Sequence, residues 1–182
     1  MGGQSVSGVE TGRGCGVDDR PEVLMVRTIL TKAAELMRAE GEIRTGGFFT
    51  LSRPGMQSSY AHIEWGALPV DKRSRSFELV NEKERRLAAH PRHFTSYQSR
   101  NPHAAVIDMF GRKQPWGKWG GAIRAGDYII SFSGFPELWD EAAMLVLAIR
   151  MKWLDETTTL RRISRKRNPH FRVLLEAMNG ID

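Results

Sequence analysis

Five histidines, a single cysteine and several runs of charged side chains are the residues of this chain that could do chemistry. The histidines are His62, His90, His93, His103 and His170. Only His90 and His93 lie close together, and Pro91 between them breaks a helix, so the two need not share a face. A zinc site wants three or four clustered ligands, and no such spacing occurs, so no metal centre is expected. The ordinary reading of His90 and His93 is a surface or capping role. Cys15 stands alone, which excludes an intrachain disulfide and a four-cysteine zinc site.

Other groups suggest chemistry more weakly. Ser133 stands where a β-rich run meets a helix, as a hydrolase nucleophile does, but that elbow needs Gly-x-Ser-x-Gly and Phe132-Ser133-Gly134 lacks the first glycine. Lys83 could pair with a carboxylate ligand. Alternatively it belongs to a solvated face made with Glu82, Glu84, Arg85 and Arg86. Arg92 and Arg100 have the same two readings. The turn Ser133-Gly134-Phe135-Pro136-Glu137 leads into a helix with Asp140 and Glu141 in its first turns. Gly134 supplies φ values that other residues avoid, Pro136 suits the first helical position, and carboxylates there favour the positive end of the helix dipole. The same carboxylates would repel a phosphate, so Ser133, Gly134, Pro136, Glu137 and Asp140 read as a structural turn. Gly120-Gly121 is too short for a P-loop, and no Gly-Lys-Ser follows.

The last positive cluster is Arg161, Arg162, Arg165, Lys166 and Arg167, with Arg172 beyond it. It is a candidate polyanion-binding set, nucleic acid included, and its ordinary reading is a solvated or subunit-facing surface. The net charge of +6 permits such a partner without requiring one. With 41% hydrophobic and 26% charged residues, the 182-residue chain is composed as a folded domain of ordinary size. No apolar run is long enough to span a bilayer, and no secretion core or myristoylation pattern opens the chain, where Val6 stands in place of Ser or Thr. A membrane partner is not expected, and the cytoplasm is the natural compartment.

These residues must be positioned by elements that apolar periodicity reveals. Residues 1–20 read as a flexible leader rich in Gly and Ser. Val23, Val26, Leu30, Ala33 and Met37 mark an amphipathic helix ending near Gly41. Residues 48–51 and 57–65 read as a hairpin, with Ala61, Ile63 and Trp65 on one face. Residues 74–90 form a second helix with Phe77, Val80, Leu87 and Ala88 on its apolar side. Residues 104–110 fit a short helix or a buried strand. Residues 122–124 and 128–132 are strands about a Gly126-Asp127 turn. The helix after Pro136 runs to about Leu154 and is apolar on nearly all sides, as a buried or subunit-shared helix is. A final helix spans about Phe171 to Met178, and no internal repeat is present.

Gly120-Gly121, a short strand, a turn, then Ser133-Gly134-Phe135-Pro136-Glu137 and Asp140 before an apolar helix resembles the GlcG/HbpS-like proteins, the haem-degrading domain family. Lys83 followed by Arg92-His-Phe-Thr-Ser-Tyr97 is similar to a Lys and Arg-x-Ser-Ser-Tyr-type segment in one branch of that family. The resemblance covers about residues 22–154. It implies an α/β (α+β) fold: a profilin-like sandwich, its central antiparallel sheet covered by helices. It implies a domain over 21–156, between the leader and a basic C-terminal tail, 157–182, with a short helix. It implies a homo-oligomer that binds haem or another small ligand, with Lys83, Arg92 and His93 as candidate cofactor-binding residues and no catalytic residue assigned. Under that resemblance any of the five histidines could serve haem iron, which takes one axial His, or Cys, Met or Tyr in other classes, and Lys83 could pair with a haem propionate. The chain departs from the family in the bulkier strand Tyr128 to Phe132 and in the charged neighbours of Lys83, and the tail has no counterpart. The other reading is a non-enzymatic interaction or nucleic-acid-binding protein acting through that tail.

Overall fold

The computed structural model describes residues 19–55 and 61–180. Most of the leader, with Cys15, and residues 57–60 of the expected second strand lie outside the described residues. The order of elements is α1 (Pro21–Ala39), β1 (Gly46–Ser52), β2 (Ala61–Gly66), α2 (Val70–Ala89), a 3-10 turn (Ser96–Ser99), β3 (Val106–Ile107), β4 (Lys113–Gln114), β5 (Ala122–Ala125), β6 (Tyr128–Ser133), α3 (Glu137–Arg150), α4 (Glu156–Arg162) and α5 (Pro169–Met178). The architecture is mixed α+β. A four-stranded sheet has the order β2-β1-β6-β5, with every neighbouring pair antiparallel.

The alternation of side chains along the strands explains the layering. Phe49 and Leu51 of β1 and Ile130 and Phe132 of β6 enter the main core with the apolar stripes of α1, α3 and α5. Their neighbours face the other way, onto α2. Phe48 meets Phe77 edge-on at 5.5 Å, the Ser131 hydroxyl donates to the Val80 carbonyl, and Ile129 packs with Ala122 and Leu87. Helices thus cover both faces, which is why all seven residues of β1 are buried.

Of the two readings of residues 104–110, the strand is the one that forms, as the two-residue β3 paired with β4. Three expectations are corrected. Helix α3 stops at Arg150, four residues short of Leu154, because the chain turns at Lys152, where φ is +59°. Glu82 and Lys83 are buried rather than solvated, while Ala88 is exposed. Gly134 has no positive φ. It is required because a Cβ there would lie 2.5 Å from the Gly46 carbonyl oxygen and 2.7 Å from the Gly47 Cα, where β6 leaves β1.

The segment after residue 156, set apart in the sequence by its charge, packs into the main core. Asp155 caps α4 by accepting from the Thr158 N–H at 2.8 Å, and Asn168 caps α5. Ile163, Phe171, Leu174, Leu175 and Met178 then join the apolar cluster built on α1 and α3. Among the described residues no helix is long and apolar enough to cross a membrane.

Candidate functional site

The strand-to-helix junction between β6 and α3 is held by one carboxylate. Pro136 is the residue before the helix rather than its first, and its carbonyl accepts from the N–H groups of Trp139 and Asp140. Asp140 Oδ1 turns back to accept from Phe135 N at 2.9 Å and Gly134 N at 3.3 Å. Its Oδ2 accepts from Lys83 Nζ at 2.6 Å, and the same ammonium donates to the Phe132 carbonyl at 2.8 Å. Lys83 comes from α2, across the sheet from α3. Gly121 makes the crossing possible: at φ +116° it leaves open a position where a Cβ would lie 2.7 Å from Asp140 Cβ and 2.9 Å from Lys83 Nζ. Both charges are nearly excluded from water, with side-chain exposures of 2% each. Burial pushes the Asp140 pKa up to about 6, against the lowering effect of the Lys83 charge and of the hydrogen bonds from Lys83, Phe135 and Gly134.

The other two carboxylates of the acidic turn are also bound within the chain. Glu137 accepts from Gly120 N at 2.6 Å and pairs with Arg100 at 2.9 Å. Glu141, fully buried, takes a bidentate contact from Arg167 at 2.8 and 2.9 Å and a further bond from Asn168 Nδ2. Three residues at the start of one helix therefore fasten three remote segments. Arg86 does the same from α2: it pairs with Glu82 at 2.7 Å and donates to the carbonyls of Ser96 and Trp119.

Above the Lys83–Asp140 pair opens a cleft of about 380 Å³. Leu79, Trp119, Phe135 and Pro136 supply its apolar walls, and Ser133, Glu137, Arg44 and Arg75 its polar ones. Arg44 pairs with Glu42 at 3.1 Å. Arg75 is exposed and has no ion pair among the described residues, and the Ser133 hydroxyl has no hydrogen bond among them. The arrangement can hold a partly apolar molecule by one anionic end. Asp140 contributes little to chemistry on such a molecule, because its oxygens already accept three hydrogen bonds.

The residues expected to bind a cofactor do not converge. Lys83 lies at the floor of this cleft with its ammonium engaged. Arg92 lines a different one, of about 320 Å³, together with Arg162 and Arg167. His93 lines neither cleft. Its ring stacks on His90 at 4.8 Å, and its Nδ1 is buried without a partner among the described residues. Among the described residues neither cleft is lined by His, Cys, Met or Tyr, so none of them offers haem iron an axial ligand there, and Lys83, Arg92 and His93 do not fit haem as one set. Among the described residues no group of three or more His, Cys, Asp or Glu is placed to hold a metal ion. Of the turn residues, Ser133, Pro136, Glu137 and Asp140 line the first cleft, and Gly134 packs behind it. Arg161, Arg162, Arg165 and Lys166 are exposed, whereas Arg167 is committed to Glu141.

Sequence reasoning did not find Arg44, Arg75 or Trp119. Arg75 carries no local signal, being one of several charges on the polar side of α2. Gly121 was visible only as half of a glycine pair. Comparison with family models, with curated proteins and with solved structures finds no match to this chain.

Proposed function

We propose that the chain is a small-ligand-binding protein of profilin-like, GlcG/HbpS-like type, which holds an organic acid in the cleft at the β6–α3 junction. The observation that carries this reading is the make-up of the cleft. A guanidinium, Arg75, and a hydroxyl, Ser133, both uncommitted among the described residues, stand beside a wall of Leu79, Trp119 and Phe135. Ligand clefts are mostly apolar with a few placed polar groups, and one of this volume suits a small metabolite. Guanidinium is the natural partner of a carboxylate, and the carboxylates that line the cleft, Glu137 and Asp140, are already paired with Arg100 and Lys83, so they set no unbalanced negative charge against an acid. The carboxylate, rather than an iron, is the group the cleft is suited to receive. Assembly as a homo-oligomer belongs to the same reading and is supported by the exposed Ile107 of β3 and the exposed Met109 and Phe110 that follow it.

The test is a titration of the full chain with aliphatic and aromatic carboxylates, followed by tryptophan fluorescence and thermal shift, with hemin as a parallel probe. A saturable response is expected, weakened about tenfold or more in Arg75→Ala, since a hydrogen bond to a charged group contributes about 1.5–3 kcal/mol. No saturation below about 10 mM with any acid would overturn the reading. So would a specific Soret shift with hemin that one histidine substitution abolishes, because it would establish haem instead.

A further inference from the structure

The structure brings together two features that lie 70 residues apart in the sequence, Arg92 and the basic segment at Arg162 and Arg167. We infer that the cleft between them is a second binding site, separate from the first, for a phosphate group. Its polar lining consists almost entirely of donors. Among the described residues Arg92 and Arg162 have no ion pair, and no carboxylate lines the cleft. Gln98 Oε1 accepts from Phe94 N at 2.6 Å and from Thr95 N at 3.0 Å, which leaves the amide NH₂ as the free end of that side chain.

The site is also built in advance. The Arg162 guanidinium is held 4.5 Å over the Phe94 ring. Arg167 is fixed by its bidentate contact with Glu141 and by the Tyr97 ring 3.4 Å away, so it forms a wall of defined shape whose charge is already balanced. Two uncompensated guanidiniums against one ligand favour a dianion over a single carboxylate, and the planar donor fork of arginine matches a phosphate edge. Arg161, Arg165 and Lys166, exposed nearby in sequence, extend the positive field that would steer such a ligand inward.

A phosphate can come from a small phosphorylated molecule or from a nucleic-acid backbone, and one experiment separates the two. Pyrophosphate is titrated calorimetrically into the full chain against a chloride control of equal ionic strength. An oligo-dT of about 20 nucleotides is followed by fluorescence anisotropy at several salt concentrations. Saturable one-to-one binding of pyrophosphate, weakened about tenfold or more in both Arg92→Gln and Arg162→Gln, is the expected result. Oligonucleotide binding tighter than that, lost in the same variants and falling steeply with salt, supports the site with a backbone phosphate as its source. Both arginines are exposed, so an unchanged melting temperature certifies that the variants are folded. Arg75→Gln, in the other cleft, should leave binding unaltered, so this site can stand or fall independently of the first. The proposal is overturned if neither probe saturates at about 50 mM salt, or if both variants bind as the parent does.

Discussion

Lys83 and Asp140 have an energetic problem that their surroundings only partly solve. Moving two charges out of water costs several kcal/mol per ion, which attraction alone does not reliably repay. Here the ammonium has two oxygen acceptors and the carboxylate three donors, yet burial still holds the Asp140 pKa at about 6. That lies above the unfolded value of about 3.9. The folded state therefore binds the extra proton between these limits, so this group's contribution to stability rises as pH falls from about 6 toward 4 and is level above 6. Lys83→Met would leave the buried carboxylate uncompensated. The expected loss is about 3–5 kcal/mol at pH 7.5, shrinking at pH 5 where Asp140 is protonated. Urea denaturation at the two pH values checks this, and equal losses at both would contradict it. The pair was not legible in the sequence. Glu82 to Arg86 has the composition of a solvated helix face, and what buries Lys83 is a partner 57 positions away. Local pattern reports local neighbours only.

Among the elements, α3 was the easiest to read and α5 the most instructive. The approach to α3 is local: a β-rich run, a glycine, a proline, then acidic residues, and each acts within a few positions of itself. Its far end was misplaced because a non-glycine residue, Lys152, takes the left-handed turn that usually marks a helix stop. For α5, Asn168-Pro169 is a clear start signal, a capping side chain followed by proline, two residues before the expected beginning. Asn168 also joins two elements. Its Oδ1 accepts from His170 N and Phe171 N, while its Nδ2 donates to the Leu138 carbonyl and to Glu141. Asp155 caps α4 at the surface with one such bond. Asp155→Ala should therefore cost about 1 kcal/mol, and Asn168→Ala about 2–3 kcal/mol, because it also strands buried partners on α3. Denaturant melts of the two variants side by side measure the difference. Equal losses would mean that Asn168 acts as a cap alone.

At the scale of the whole molecule, charge and apolar period gave opposite accounts of the C-terminal segment. Five basic residues between 161 and 167 suggest a solvated tail. Phe171, Leu174, Leu175 and Met178 repeat at i, i+3, i+4 and i+7, which is the stripe of a core helix, and all four are buried. Period describes where side chains can go, whereas charge describes only the face left outside. A chain cut after Leu154 would lose these four and Ile163 from the core. Deleting a buried side chain of this size costs about 2–5 kcal/mol. Five such losses, about 10–25 kcal/mol together, match or exceed the 5–15 kcal/mol or so that stabilises an ordinary domain. The shortened chain is accordingly expected to show no cooperative thermal transition by circular dichroism, and Phe171→Ala alone should cost about 3–5 kcal/mol. A truncated chain that melts cooperatively within about 5 °C of the parent would show that α5 is an appendage after all. If the expectation holds, a binding loss on truncation would report unfolding rather than a missing partner surface. The role of the basic residues can then be read only from point substitutions at exposed positions such as Arg92 and Arg162, where the charge is removed and the core stays intact.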